Sequence, residues 1–487
     1  MATGNSLDAF RAAHDPTHKI LDPLTIFERP LPKDAKRFIV TAAQNATPVH
    51  DKWWATLRIM AAALEAEILV IPLRYKNPTS QWSGSQQNAE HWDAAVRPYL
   101  WNVRKALNKN LMVLGDIKIQ PTASDPLMGA DALSHAASGI IGHTKLQMRC
   151  IPTPSHRMAK ILTTTGACTV ANYTDSRAGR LGEFHHSLSA VLVELDGSRF
   201  FLRHVHYDAK GNGCTDLETR YTPVGYGKAP PPTALVMGDT HVDFIDPAVE
   251  RATFGKGGMV DRLRPRHLVW HDLLDSYSCN PHHKNNPFNA IAKRAIGADA
   301  VRAEVNRAIE FVKARTGKAI SVIVGSNHND FLRRWIVSHD WRLDPTNAEF
   351  YLETALAMVR GTKIGPKGTE YPDPFTHWAE RASLNHVRVL KDDESLMLAG
   401  VEVGMHGDKG PNGVRGSIKN LRRIGVKSII GHSHTPGIDE GAYQVGTSTR
   451  LRLEYNHGAS SWLNAHCVLH EDGKRQIVVI VDGKWRL

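Results

Sequence analysis

Lys427-Ser428-Ile429-Ile430-Gly431-His432-Ser433-His434-Thr435-Pro436 decides how this chain is read. The apolar run through Ile430 predicts a short buried strand, and Gly431 ends it. Two imidazoles then flank one small residue, an alternation that turns them toward different points in space. A strand that delivers two metal-type side chains from its carboxyl end belongs to an α/β fold, and the rest of the second half supplies matching pieces.

Working outward, Leu235-Val236-Met237-Gly238 leads into Asp239-Thr240-His241, again two ligand-type residues around one small one. His267-Leu268-Val269-Trp270 leads into His271-Asp272-Leu273-Leu274-Asp275. A carboxylate has two oxygens and can bridge two cations, which suits Asp272, while Asp275 is placed to orient an imidazole through a hydrogen bond. Ser321-Val322-Ile323-Val324-Gly325-Ser326 leads into Asn327 and His328. The Asn327 carbonyl oxygen is a neutral ligand, and His328 is left to stabilise charge on a phosphate or to protonate a departing oxygen. His406, in Gly404-Met405-His406-Gly407-Asp408, supplies one further ligand. Taken singly, each stretch also reads as a solvated Asp or His, a helix cap or a structural turn. The ordered set is much stronger than its parts.

Donor counting places Asp239, His241, Asp272 and His434 around one divalent ion, and Asp272, Asn327, His406 and His432 around a second. Two such ions orient a water for attack on phosphorus and neutralise the charge that develops. The mixed nitrogen and oxygen donors suit Mn²⁺, Fe or Zn²⁺ better than Mg²⁺ or Ca²⁺.

These motifs, in this order, resemble those of the calcineurin-like metallophosphoesterase superfamily. The resemblance covers residues 233–487. It implies a sandwich of two mixed β-sheets flanked by helices, with metal roles for Asp239, His241, Asp272, Asn327, His406, His432 and His434 and a leaving-group or phosphate-contacting role for His328. Three positions depart from the family pattern: His271 stands where Gly precedes the bridging Asp, Ser326 where Gly precedes the Asn, and Asn329 where Asp or Glu follows the free His. The open Asp-x-His form resembles the double-strand-break repair nucleases more than the protein phosphatases. Over the whole chain, Gly431–Pro436 with Gly446-Thr447-Ser448-Thr449 and Tyr455–Trp462 is similar to the phage T5 A1-type DNases. That resemblance implies a DNase that degrades host DNA using Mn²⁺ or a related divalent ion (Fe, Zn²⁺ or Mg²⁺), possible homo-oligomers, and a cytoplasmic location in the host cell.

Composition fits a folded, multi-part protein. A chain of 487 residues with 42% hydrophobic content exceeds one ordinary core. We expect an irregular N-terminal arm over 1–35, an α/β accessory domain over 36–225, and the catalytic domain over 233–487, with the Pro/Gly-rich stretch 223–232 as the boundary. In the accessory region, strands are expected at 37–43, 68–72, 111–115 and, around the Asp196-Gly197 turn, 188–206; helical character is expected at 52–65 and 87–108. No internal repeat is evident. Five scattered cysteines with no CxxC pair fit a reducing interior. Neither a long apolar run nor a basic-then-apolar leader is apparent, so a soluble protein with no membrane partner is expected.

A net charge of +11 permits attraction to a polyanion. Lys284 beyond the bridging-Asp loop, and Arg333 and Arg334 beyond His328, are candidates to position DNA phosphates without reading bases. The main expectation is a two-metal DNase. A small-molecule phosphodiesterase or phosphomonoesterase, and a non-catalytic DNA-binding or assembly protein, are the alternatives.

Overall fold

The computed structural model describes residues 25–78, 91–154, 156–284, 286–365, 368–391, 394–454 and 456–487. The expected N-terminal arm falls partly outside these residues; residues 25–36 contain no helix or strand. The chain has an α/β fold of several mixed sheets flanked by helices.

Three sheets carry the architecture. One of six strands runs in the order Val387–Val389, Ile320–Ile323, His267–Trp270, Ala234–Val236, Ala465–Leu469 and Arg475–Val479, the first four parallel and the last two antiparallel. A four-stranded sheet has the order Glu67–Leu73, Arg37–Gln44, Ser189–Asp196 and Arg199–His206. A ten-stranded sheet takes Met397–Leu398, Val401–Glu402, Lys427–Ile430, Ala442–Gln444 and Gly437–Asp439 from the second half, then Gln147–Ile151, Lys160–Thr164, Ser138–Ile141, Leu111–Leu114 and Arg104–Asn108 from the first.

Alternation along the strands sorts their side chains into layers. Val236, Val269 and Cys467 of the six-stranded sheet, Val40, Leu69 and Val191 of the four-stranded sheet, and Ile140, Ile161 and Ile429 of the ten-stranded sheet share one core. Their neighbours Leu235, Leu268 and Trp270 face the other way, onto Val305, Ile309 and Val312 of the helix Val301–Thr316. On the four-stranded sheet, Ile39, Val70 and Leu192 meet Trp53, Leu57 and Met60 of the helix Asp51–Leu64. That helix starts where the His50 side chain accepts from the Trp53 N–H and stops at Glu65, in the left-handed region.

Three expectations need correction. The helical character read at 87–108 is, from residue 91 on, a single 3₁₀ turn at Arg97–Tyr99 and an edge strand at Arg104–Asn108, because pairing with Leu111–Leu114 overrides the helix-forming residues there. The stretch 223–232 is not a bare linker, since Gly225–Lys228 forms a strand against Thr219–Thr222. The absence of a repeat also fails: the order and directions of nine strands in the first half recur in the second. The division at 223–232 stands as a proposal about folding units, and the pairing of Gly437–Asp439 with Gln147–Ile151 crosses it.

Candidate metal centre

Each candidate ligand leaves the carboxyl end of a parallel strand. Asp239 and His241 follow Ala234–Val236; Asp272 and Asp275 follow His267–Trp270; Asn327 and His328 follow Ile320–Ile323. The other sheet delivers His406 beyond Val401–Glu402 and His432 and His434 beyond Lys427–Ile430. Parallel neighbours end together, so loops distant in sequence meet at one rim of the sheets. His241, Asp272, His432 and His434 all adopt positive φ, between 41° and 76°. Such backbone costs free energy in a non-glycine residue and clusters at functional sites.

The ligand atoms lie at the spacing that a shared ion demands. Two donors each about 2.0–2.2 Å from one ion stand roughly 3.0–3.5 Å apart. His241 Nε2 is 3.1 Å from His434 Nε2, His434 Nε2 is 3.4 Å from Asp239 Oδ2, and His241 Nε2 is 3.6 Å from Asp272 Oδ2. The same Asp272 oxygen is 3.1 Å from His406 Nε2, so Asp272 joins two groups of donors. His432 Nδ1 lies 3.1 Å from Asn327 Oδ1, and the His432 backbone N–H donates to Asp239 Oδ1 at 3.0 Å. Asp239, Asp272 and His406 also form a compact triple, which places Asp239 within reach of both groups. Asp239, His241, Asp272, His406 and His434 share one cluster of donor atoms, and Asn327 and His432 pair beside it.

The site is buried, with Asp239 and His241 0% exposed and Asp272 1%. Asp239 Oδ2 and Asp272 Oδ1 make no hydrogen bond among the described residues. Buried carboxylate oxygens without donors are costly unless a cation compensates them. Burial, reinforced by Asp272, pushes Asp239 up to about 7 against the pull of His406 and His241. Burial lowers His241 and His406, yet the surrounding carboxylates outweigh it and raise both to about 9. Asp272, although burial raises it, is held well below the usual carboxylate range by His406, His328 and His241. Burial and the nearby His241 keep His434 well below the usual imidazole range, as burial and His406 lower His432. The donor set fits divalent cations, which would take the place of the protons on His241 and His406.

Positioning groups surround the ligands. Asp275 Oδ1 is 2.6 Å from His241 Nδ1, while the Asp275 carbonyl oxygen accepts from His328 Nδ1 at 2.6 Å. His271 is completely buried, and its Nδ1 lies 3.4 Å from His406 Nδ1. A Cβ at Gly431 would come within 2.3 Å of Asp239 Oδ1 and 2.9 Å of His271 Cγ, so no larger residue fits there. The Trp462 ring packs edge-on to His434 at 4.1 Å; its role was not readable from sequence, which gives no sign that residue 462 reaches His434.

The anionic-substrate candidates lie outside this shell. Lys284 is exposed. Arg333 Nε and Arg334 Nε donate to the two oxygens of Asp330, at 2.6 and 2.5 Å, so one carboxylate offsets part of their charge. The five cysteines are buried and unbridged and take no part in the cluster. No helix among the described residues is long and apolar enough to cross a membrane.

Two potential divalent-metal sites built from buried carboxylates and imidazoles support a metal-dependent hydrolase of the phosphoesterase type. No family model matches the chain. Protein A1 of Escherichia phage T5 is 30% identical to it over 467 residues, which span 93% of this chain and 83% of the phage protein.

Proposed function

The chain belongs to the family of protein A1 of Escherichia phage T5, and on that footing we propose that it is a two-metal DNase with a calcineurin-like catalytic half, hydrolysing DNA phosphodiester bonds. The observation that carries the reading is Asp272: one of its oxygens stands 3.1 Å from His406 Nε2 and 3.6 Å from His241 Nε2, within reach of both groups of donors. Two divalent ions bound there, Mn²⁺ by our reading, would supply Lewis acidity for hydrolysis of a phosphodiester.

The chain's own residues do the rest. Asp239, His241, Asp272 and His434 would hold one ion, and Asp272, Asn327, His406 and His432 the other. Asp275 turns the His241 ring, and its carbonyl oxygen accepts a hydrogen bond from His328 Nδ1. With Nδ1 so engaged, the imidazolium form of His328 would present Nε2–H to the phosphate or give that proton to the departing oxygen, returning to the neutral ring. Lys284, Arg333 and Arg334 attract and position the phosphate backbone, with the chain's charge of +11 favouring a polyanion. Degradation of host DNA in the host cytoplasm is the biological setting we infer.

Cleavage of end-labelled double-stranded DNA with Mn²⁺, Mg²⁺ or EDTA, beside Asp272→Asn and His328→Ala, tests this reading. Metal-dependent cleavage lost in both variants is expected. Intact DNA with turnover of small phosphoesters would instead mark a small-molecule phosphodiesterase, and binding of DNA without any turnover a non-catalytic protein.

A further inference from the structure

The two halves repeat one construction, and strand register, anchored by the Ile-Ile-Gly-His shared at 140–143 and 429–432, carries the match to single residues. In the first half Phe38 pairs with Glu67 in parallel and with Val193 antiparallel; in the second, Ala234 pairs in the same two ways with His267 and Leu469. Gly139 stands between Met112 and Leu162, and Ser428 between Glu402 and Ala442, with all four pairings parallel. These registers align Gly139-Ile140-Ile141-Gly142-His143-Thr144 with Ser428-Ile429-Ile430-Gly431-His432-Ser433. They also make Ile71 the counterpart of His271. A Cβ on Gly142 would strike Ile71, as one on Gly431 would strike His271. Where the two halves join, Met148 pairs antiparallel with Ile438, its own counterpart, which is the signature of a two-fold axis.

The same alignment passes through the metal centre and finds it taken apart. Asp239 and Asp272 correspond to Ala43 and Pro72, which pair directly in the parallel ladder. His241 corresponds to Asn45, whose side chain bonds both the N–H and the carbonyl of Tyr75, the counterpart of Asp275. His406 corresponds to Asp116, paired with Arg104, and His434 to Lys145, whose ammonium lies 3.0 Å from Glu440. Of the ligands, only His432 keeps its residue type, at His143. The positive φ found at His241, Asp272, His432 and His434 is absent from Asn45, Pro72, His143 and Lys145. The segment that supplies Asn327 and His328, with its strands Ile320–Ile323 and Val387–Val389, has no counterpart among the described residues of the first half.

We propose that residues 37–206 are a second copy of the catalytic unit whose metal centre has been dismantled, and that this silent copy serves the active one as a built-in partner subunit across the Met148–Ile438 axis. The proposal rests on the metal-centre reading of the second half and not on the nature of the substrate. In the silent copy, positive φ is lost at the four positions that correspond to ligands, although Ala46, beside Asn45, retains one. Its ladder closes at Ala43 and Pro72, where the active copy opens to receive ions.

Metal counting on the full chain tests this. Titration with Mn²⁺, followed by calorimetry and elemental analysis, should give about two ions per chain. Binding should be weakened by His432→Ala and left unchanged by His143→Asn. The full chain carrying Ala43→Asp, Asn45→His, Pro72→Asp and Lys145→His should bind at least one ion more than the wild type. If that variant does not fold, the smaller pair Ala43→Asp and Lys145→His is scored for added Mn²⁺ affinity. More than two ions in the wild type, with the excess surviving Asp272→Asn, would show a live second centre and overturn the proposal. So would a folded grafted variant with no gain, or a wild type that binds no ion.

Discussion

Asp275 Oδ1 stands 2.6 Å from His241 Nδ1, and this contact decides which nitrogen of His241 remains for a metal ion. The Asp275 carboxylate beside Nδ1 favours a proton on that nitrogen, which leaves the Nε2 lone pair toward His434 and Asp272. Asp275→Asn keeps the shape and removes the anion. Affinity for one of two Mn²⁺ ions should fall by about 10–100-fold, read by calorimetry. Unchanged affinity would mean that Asp275 does not orient this ligand.

His328 touches the cluster without being counted among its ligands. Its Nδ1 donates to the Asp275 carbonyl, and its ring lies against Phe331 at 4.9 Å. His328→Ala should lower kcat by roughly 10²–10⁴-fold while the Mn²⁺ count stays the same. A parallel loss of bound metal would make His328 a ligand instead.

Removal of metal should leave a protein whose stability depends on pH with a definite sign. Folding raises Asp239 from 3.8 to about 7, and His241 and His406 from 6.5 to about 9. At these three groups the folded chain holds more protons than the unfolded one, so their stabilisation is complete below the unfolded values and is lost as pH rises through 7 and then 9. Asp272 and Asp275 are depressed, so they stabilise above 3.8 and lose that contribution as pH falls. Buried histidines held neutral, such as His143, His186, His204 and His466, act oppositely around pH 6.5, so the metal-free Tm should decline between pH 8 and 9.5, where only the raised groups still titrate. Saturating Mn²⁺ should remove the decline, because its affinity grows as those protons leave. A metal-free Tm that climbs over the same range would contradict this balance.

Arg334 and Arg333 share Asp330, yet the Arg334 side chain remains 57% exposed. If Arg334 holds one DNA phosphate, Arg334→Ala should weaken binding to any sequence alike. The slope of log affinity against log salt should become shallower by about one. Filter binding across a salt series reads both effects, and an unaltered slope would place Arg334 outside the DNA path.

The ligand loops were legible because each couples a short apolar run to polar residues that a buried strand end has no other use for. His267–Trp270 before Asp272 and Lys427–Ile430 before His432 form the strands their composition predicts. The repeat was not legible. Between the halves it survives as Ile-Ile-Gly-His at 140–143 and 429–432, and the residues that would draw notice, Asp239, His241 and Asp272, are those replaced by Ala43, Asn45 and Pro72. Hydrogen-bond register preserves what side-chain identity has lost. The edge strand Arg104–Asn108 was hidden for another reason, since only pairing with Leu111–Leu114 makes it a strand.

The pairing of Met148 with Ile438 also sets a timetable for synthesis. At about 5–20 residues per second, the strand Gln147–Ile151 leaves the ribosome roughly 15–60 s before the segment that will cover it. During that interval its backbone groups form an open sheet edge, able to capture another nascent chain as readily as its own. Slowing elongation between residues 151 and 437 should therefore shift the yield toward aggregates, a vulnerability that arises from joining the two halves in one polypeptide.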